Sequence, residues 1–287
     1  MKFKLTLVSL FLLFWAVAGC VNTESSKPVL YFSGIPDQNI STWSERYSIL
    51  ENYLTEELGV EVKGIPSKDY ASVVIAFEQD QIQLGWFGGL SGVQARMLVE
   101  GSNAVAQRAR DAEFQSVFVV GHSVTAESLA GLKGLTFTFG SESSTSGHLM
   151  PRHYLVESGV DPDTDFYSAP GYSGSHDKTW LLVQTGAFQA GALSEAVWDK
   201  AVAEGRADTS QVREMLRTPE YYDYNWTVRP GLDSIYGEGF ESRLVSALLN
   251  IEDPEILNLF SAERFIATSN DNYDSIAQIA RGVGIIK

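Results

Sequence analysis

The sequence predicts an α/β fold of two lobes joined by two crossing strands, with a ligand cleft between the lobes. Buried strand candidates alternate with amphipathic helix candidates from residue 29 to residue 120, a pattern typical of a parallel sheet flanked by helices. A second unit of the same kind begins at Leu135, and the strand candidate 225–228 returns the chain toward the first unit. Ligands of such sheets bind beyond the carboxyl ends of the strands.

The first unit has clear local boundary signals. Turn residues that include Asp37 end its first strand, and the sequence suggests no role for Asp37 beyond that turn. Gly59 ends the first helix, and Asp69 caps the second. The predicted elements, in chain order, are strand 29–34, helix 43–58, strand 60–65, a helix after 69, strand 82–86, helix 90–99, a strand near 105 and strand 116–120.

The second unit follows the same alternation. Its predicted elements are a strand from Leu135, a helix after Ser146 that ends near Gly159, helix 177–185, strand 190–193, helix 195–204 capped by Ser194, and strands 212–217 and 225–228. A mostly helical tail follows from Leu232. We therefore divide the chain into lobe 1, comprising 28–115 plus 229–287, and lobe 2, comprising 116–228.

The N-terminus has the pattern of a lipoprotein signal peptide. A short basic start precedes an apolar run that is too short for a comfortable membrane span, and small residues lead into Cys20, the chain's single cysteine. We expect residues 1–19 to be removed, Cys20 to carry lipid, and residues 20–27 to form a polar tether. The alternative is that Cys20 only ends an ordinary cleaved leader.

Composition excludes several classes of function. With 21 basic and 36 acidic residues the formal charge is −15, and no basic tract is present, so a nucleic-acid partner is excluded. The segment 171–174 lacks the Gly-x-Ser-x-Gly pattern of a hydrolase nucleophile. None of the four histidines forms a His-x-x-x-His pair. We predict no catalytic residues, no metal site and no cofactor.

The run Ser144-Thr145-Ser146-Gly147-His148 is the strongest binding signal. It lies where a β-rich stretch passes into a helix candidate, so its hydroxyls and the first helical amides converge at the positive end of the helix dipole. That geometry binds a tetrahedral oxyanion without any lysine or arginine. The alternative is an ordinary Ser/Thr cap.

Several separated motifs resemble one family. They are Lys68-Asp69-Tyr70-Ala71, Leu84 to Ser91, Phe139 to Gly147, Gly174-Ser175-His176-Asp177 and Tyr221 to Arg229. Over the whole mature chain the sequence resembles the type II periplasmic solute-binding proteins of the phosphonate/phosphite family, most closely its selenate-binding subgroup. The resemblance implies a monomeric receptor of an ABC importer, anchored by lipid outside the cytoplasm of a bacterium, with a permease and ATPase complex as partner. A sensor with the same fold is the alternative partner role.

The resemblance also implies ligand contacts. Ser144, Thr145, Ser146 and Gly147 would form the oxyanion cradle, with Tyr70 as a donor from the first lobe and His176 from the second. A histidine of ordinary pKa would also tighten binding once protonated below about pH 6.5. Each side chain has a structural alternative: His176 as a helix cap, Tyr70 as a surface tyrosine.

Two departures from the family pattern shape the expected ligand. Phe87 stands where phosphonate binders carry tyrosine, and Tyr224 stands where they carry the acid that holds an amino group, with Asp223 beside it. Trp86, Phe87 and Tyr224 would line the site, or else Trp86 and Phe87 would be core aromatics and Tyr224 a surface residue. A cleft without a nearby carboxylate favours selenate or sulfate, which only accept hydrogen bonds. Phosphonate, phosphite or phosphate is the alternative.

Overall fold

The computed structural model describes residues 28–38 and 43–287, and its side chains are described for 28–38 and 47–287. The predicted signal peptide 1–19, the lipidation site Cys20 and the tether 20–27 lie outside the described residues. Within the described ranges, no helix is both long and apolar enough to cross a membrane.

Strands and helices alternate along the described chain, joined by short 3₁₀ turns and by a π turn at Thr145–Leu149. In chain order the elements are β1 (Leu30–Gly34), α1 (Trp43–Leu58), β2 (Val62–Gly64), α2 (Tyr70–Glu78), β3 (Leu84–Phe87), α3 (Gly89–Leu98), β4 (Asn103–Arg108), β5 (Ser116–Gly121), β6 (Phe137–Phe139), α4 (Met150–Glu157), β7 (Gly171–Tyr172), α5 (His176–Gln184), β8 (Ala190–Ser194), α6 (Glu195–Ala203), β9 (Val212–Arg217), β10 (Asn225–Val228), α7 (Leu232–Tyr236), α8 (Phe240–Leu249), α9 (Pro254–Leu259), β11 (Phe265–Ala267) and α10 (Asp274–Gly282).

Each lobe is built on one mixed sheet. The first has the order β11-β4-β10-β3-β1-β2, and the second has the order β7-β6-β8-β5-β9. In the first, β1 runs parallel to β2 and β3, whereas β10 is antiparallel to β3 and β4. In the second, β6 is parallel to β7 and β8, whereas β5 is antiparallel to β8 and β9. The predicted two-lobe α/β fold is confirmed, but each sheet is mixed rather than parallel, because β10 and β11 in the first sheet and β5 in the second run antiparallel to their neighbours.

The chain passes between the lobes twice. It leaves the first sheet after β4 and returns with β10, whose Asn225 and Trp226 pair with Phe87 and Trp86 of β3. The predicted second lobe, 116–228, included β10. That boundary needs correction, because β10 pairs within the first sheet and the return therefore lies before Asn225.

Both faces of the second sheet are covered by apolar side chains. Along β5, Phe118 and Val120 belong to one apolar cluster, whereas Val117 and Val119 belong to another. Successive side chains of a strand point to opposite faces, so this alternation is what a sheet covered on both sides requires. Neither face of the second sheet is therefore open to a ligand.

The local boundary signals lie where the sequence placed them. Asp69 Oδ1 accepts the amide of Ser72 at 2.7 Å, which fixes the start of α2. Ser194 Oγ accepts the amide of Val197 at the start of α6. Gly59 follows α1 with φ of 68°, a left-handed conformation that a residue without Cβ adopts readily. Asp69 and Ser194 thus fix the starts of α2 and α6, and Gly59 ends α1.

Candidate ligand site between the lobes

The Ser144–Ser146 segment opens a π turn rather than the expected α-helix. The amide of Leu149 donates to Ser144 O at 3.0 Å, and that of Met150 to Thr145 O, each five residues back. Ser144 Oγ accepts the amide of Gly147 at 2.9 Å, so the capping alternative is correct for Ser144. The amides of Thr145 and Ser146 begin the turn and have no carbonyl one turn earlier within it. Ser144, Thr145 and Ser146 are all buried, in a motif that recurs at functional sites.

His176 begins α5 and is 1% exposed. Its Nδ1 accepts the amide of Ser194 at 3.2 Å, and because an amide only donates, the proton of the neutral ring lies on Nε2. Nε2 is 3.3 Å from Tyr224 Oη and 3.5 Å from Tyr70 Oη. His176 therefore meets both tyrosines across the cleft, and the capping alternative does not describe its side chain.

Burial lowers the pKa of His176 to about 4, from an ordinary value of 6.5. The ring is consequently neutral at about pH 7, where Nε2–H is its donor. The expected rise in affinity below about pH 6.5 loses its basis, because His176 does not gain a proton there.

Tyr70 and Tyr224 are both 2% exposed, so the surface alternative is wrong for each. Burial holds their pKa values well above 10, and each phenol keeps its proton to donate. The Tyr224 ring stacks on Trp86, with centroids 5.6 Å apart. The guanidinium of Arg108 lies 4.5 Å from the Tyr224 centroid and is fixed by two hydrogen bonds to Asp111, at 2.7 and 2.6 Å.

The two other aromatic candidates point to opposite faces of β3. Trp86 reaches the site only through its stacking on Tyr224. Phe87 packs edge-on against Phe77 at 5.5 Å, and its ring lies over Gly85, where a Cβ would come within 2.2 Å of it. The structure thus brings Trp86 to support the site and leaves Phe87 in the core of the first lobe.

Two carboxyl groups, of Asp37 and Asp223, lie in this site. Burial raises the pKa of Asp37 to about 6, although Arg108 and the Tyr224 hydroxyl favour its charged form. Burial raises the pKa of Asp223 to about 7, although the Gly89 amide favours its charged form. The expectation of a cleft without a nearby carboxylate is therefore wrong.

Asp223 has one satisfied oxygen and one that is not. Oδ1 accepts the amide of Gly89, at the start of α3, at 2.8 Å. Oδ2 is buried and makes no well-formed hydrogen bond among the described residues, although the Thr145 and Ser146 hydroxyls lie near enough to the carboxyl group to favour its charged form. A buried acceptor without a partner is unfavourable unless a bound group supplies a donor.

Hydrogen bonds across the cleft hold the lobes together around the site. Thr145 Oγ1 accepts the amide of Leu90 at 2.9 Å, and Asp37 O accepts the amide of His176 at 3.0 Å. Thr145 therefore contacts the opposite lobe as well as opening the cradle.

The sequence pointed to Tyr70, Ser144–Ser146, His176 and Tyr224, which the structure brings together, but gave no role to Asp37 or Arg108. For Asp37 the available signal was its position just beyond the carboxyl end of β1. Arg108 is 4% exposed, and nothing local distinguishes it from a surface arginine.

The assembled groups offer several hydrogen-bond donors and one buried acceptor to a small ligand. The donors are the hydroxyls of the cradle, two phenols and one neutral imidazole N–H, and the free acceptor is Asp223 Oδ2. Among the described residues, no cluster of His, Cys, Asp or Glu is placed to hold a metal ion.

Comparisons with known proteins all point to one family of periplasmic binding proteins. The sequence profile of the family described as "ABC transporter, phosphonate, periplasmic substrate-binding protein" matches residues 32–273. A probable ABC transporter phosphite-binding protein, PhnD1 of Prochlorococcus marinus (strain MIT 9301), is 41% identical over 99% of both chains. The structure of PhnD1 in complex with methylphosphonate superposes with a TM-score of 0.86 at 42% identity, covering 90% of this chain and 99% of that one. A binding protein component of an ABC phosphonate transporter from Pseudomonas aeruginosa shares the fold, with a TM-score of 0.77 at 20% identity over 88% of this chain and 85% of that one.

Proposed function

Because the chain belongs to the phosphonate family of periplasmic substrate-binding proteins of ABC transporters, we propose that it captures a small phosphonate or phosphite between its lobes. Like other receptors of this class it is a binding protein and not an enzyme. The observation that carries the ligand assignment is Asp223 Oδ2, a buried acceptor without a partner beside the hydroxyl cradle. The likeness to PhnD1, named for phosphite and solved with methylphosphonate, supports the same class.

The hydrogen-bond donors and acceptors of the site match a phosphonate or phosphite better than sulfate or selenate. A singly protonated phosphonate or phosphite carries one P–OH donor and otherwise accepts, whereas sulfate and selenate dianions only accept. Asp223 Oδ2 matches the P–OH group, and the hydroxyls, phenols and imidazole N–H match the remaining oxygens. Above about pH 7, where Asp223 is charged, a dianion would instead bring like charges together in a dry site. The sulfate-like ligand expected from the sequence is therefore not supported.

Each site residue has a distinct proposed role. Ser144 and Ser146 donate to the oxyanion together with the amides of Thr145 and Ser146, Gly147 holds the turn through its amide bond to Ser144 Oγ, and Tyr70, Tyr224 and His176 close over the ligand. Thr145 ties the cradle to α3 through its bond to Leu90. Closure of one lobe on the other is the change that the ligand stabilises, because these donors come from both lobes.

We also propose how the receptor is placed in the cell. Lipid on Cys20 would hold a monomer beside the bilayer, where the loaded form delivers its ligand to the permease of its importer. Two or more acyl chains anchor a protein stably where one does not, which suits the lipoprotein pattern of the N-terminus.

The test is a double substitution in the cradle. In the Ser144→Ala/Ser146→Ala variant we expect methylphosphonate affinity to fall by about two to four decades, because each lost hydrogen bond to a charged group is worth roughly 1.5–3 kcal/mol. Isothermal titration calorimetry with methylphosphonate, phosphite, phosphate and sulfate measures it. The matched control is Ser234→Ala/Ser242→Ala, two exposed serines on α7 and α8. Unchanged affinity in the cradle variant, or tighter binding of sulfate than of any phosphorus oxyanion by the wild type, contradicts the assignment.

A further inference from the structure

We propose that His148 is a positioning residue: its imidazole holds the loop before the cradle, so that Ser144 and Ser146 face the ligand. This inference rests on the proposed function, since it gives a further residue on which the same site depends. His148 lies within the π turn and is 5% exposed. Its hydrogen-bond partners, Glu142, Arg152 and Tyr172, all belong to the second lobe.

The hydrogen bonds fix which nitrogen of His148 carries the proton. Arg152 Nε lies 3.1 Å from Nε2, and a guanidinium only donates, so Nε2 accepts. The proton of the neutral ring is then on Nδ1, which donates to the main-chain oxygen of Glu142 at 2.7 Å. Arg152 is itself held by two hydrogen bonds of 2.9 Å to Asp163. The ring thus has one acceptor side and one donor side, each with a fixed partner.

Neutrality of the ring is consistent with its surroundings. Burial lowers the pKa of His148 to about 4, and the neighbouring Arg152 acts in the same direction. At about pH 7 the imidazole is therefore neutral, as its bond from Arg152 requires.

The Glu142 carbonyl lies in the middle of the loop that connects β6 to the cradle. The ends of this loop are held separately, because the Gly140 amide donates to Gly147 O at 2.7 Å and the Ser144 amide donates to Ser141 O at 3.0 Å. The Nδ1–H bond is the contact that ties the middle of the loop to the turn carrying the hydroxyls. Without it the loop has more conformations, and ligand binding must order them at the expense of affinity.

Two substitutions separate this role from simple packing. In Asn the amide nitrogen is as many bonds from Cα as Nδ1 is in His, and in Gln it is as far as Nε2. His148→Asn therefore preserves a donor toward Glu142 O, whereas His148→Gln places its amide on the Arg152 side. Both remove the ring that packs edge-on against Phe139 at 4.8 Å, so both lose similar thermal stability. His153→Gln, at a partly exposed histidine on α4, is the control for loss of an imidazole.

We measure methylphosphonate affinity by calorimetry and, in the ligand-free protein, hydrogen exchange of the amides from 141 to 147. The expected result is that His148→Asn stays within about three-fold of the wild type while His148→Gln weakens binding at least about ten-fold and exchanges faster in this segment. Equal affinities and equal exchange in the two variants overturn the proposal, and so does a loss of affinity that follows thermal stability in both. If the wild type binds no phosphorus oxyanion, the proposed function fails, and the exchange comparison still decides the role of His148.

Discussion

At Asp223 the protein buries a carboxyl group whose outer oxygen, Oδ2, makes no well-formed hydrogen bond among the described residues. Such a group is unfavourable in the empty site and becomes favourable when a ligand hydroxyl binds to it. Under the proposed function, the same atom lowers the stability of the free receptor and selects the ligand. Burial also raises the pKa of Asp37, which accepts a hydrogen bond from Tyr224.

The stability effect of Asp223 has a definite sign. Its pKa is 3.8 ordinarily and about 7 in the fold, so between these values the folded state holds more protons and stability falls as pH rises. We expect Asp223→Asn to stabilise the ligand-free protein at about pH 8 by up to about 4 kcal/mol, with the gain vanishing near pH 4. Urea unfolding across this range measures it. Asp233→Asn is the contrast, because hydrogen bonds from the amides of Glu241 and Gly239 lower the pKa of Asp233, so that its loss destabilises at the higher pH. A gain independent of pH would assign the Asp223 effect to packing.

The ligand effect of Asp223 goes in the opposite direction. If the Asn oxygen keeps the bond from the Gly89 amide, its NH₂ group replaces the free acceptor by a donor. We expect Asp223→Asn to weaken methylphosphonate about ten-fold or more and to strengthen sulfate, because an accepting dianion then meets one more donor and one less charge. Paired calorimetric titrations give the ratio of the two dissociation constants. If the dissociation constants for the two anions changed by the same factor, Asp223 would not discriminate between a protonated and an unprotonated ligand.

At the scale of elements, the start of α3 is a point of direct contact between the two lobes. A Cβ added at Gly88 would lie 3.2 Å from Asp223 Oδ1 and 3.2 Å from Thr145 Oγ1, an atom of the opposite lobe. The backbone of Gly88 has φ −76° and ψ 168°, which alanine adopts without strain. Glycine at this position leaves space between the lobes rather than supplying backbone freedom, and a Cβ would require Asp223 or Thr145 to shift by a few tenths of an ångström.

Gly88→Ala should therefore impair closure while leaving the fold intact. Overpacking of this kind typically costs about 1–3 kcal/mol, so we expect methylphosphonate to bind about five-fold to more than a hundred-fold more weakly. Small-angle scattering with excess methylphosphonate should show less compaction than in the wild type. Gly282→Ala is the matched control, since its added Cβ has nothing within 4 Å. Full affinity in Gly88→Ala would mean that the bound state leaves more room at α3 than this structure has.

Helix boundaries that depend on a capping residue could be predicted from the sequence. Features that depend on contacts between distant parts of the chain could not. Gly59, Asp69 and Ser194 mark helix boundaries through their own conformation or hydrogen bonds, and the structure confirms all three. The π turn at the cradle depends on where the preceding loop is tied, which no pattern of apolar residues indicates. Phe87 faces Phe77 because of its place in the sheet, which alignment to a family motif did not reveal.

At the scale of the whole molecule, the two-lobe arrangement followed from the sequence because alternation and a returning strand are features of chain order. The mixed direction of the sheets and the burial of Asp37 did not, since both depend on which strands become neighbours after the chain crosses. Asp37 thus became visible as a site carboxyl only when the lobes were brought together, whereas the sequence already placed Asp223 beside the family's acidic position, where it could turn into the cleft.

The net negative charge of the molecule opposes the approach of an anionic ligand, and two lysines near the site counteract that repulsion locally. A chain of formal charge −15 repels an anionic ligand. A cavity of about 240 Å³ is lined from the first lobe by Pro36, Gln38 and Lys68 and from the second by residues that include Ser175, Lys178 and the acidic Asp177. These residues flank Asp37 and His176, whose main chains hydrogen-bond across the cleft. Lys68 and Lys178 are exposed, one on each lobe, so they supply positive potential at this cavity.

We therefore expect Lys68→Gln/Lys178→Gln to slow association of methylphosphonate about three-fold to ten-fold at about 10 mM salt, with little change in dissociation. At about 0.5 M salt the wild type and the variant should associate at nearly equal rates, because salt then screens the attraction between the lysines and the approaching anion. Stopped-flow tryptophan fluorescence measures both rates, since Trp86 stacks on Tyr224 in the site. Lys133→Gln/Lys200→Gln removes the same charge elsewhere on the second lobe. Equal slowing in both pairs would assign the effect to net charge, and no slowing at low salt would remove Lys68 and Lys178 from ligand capture.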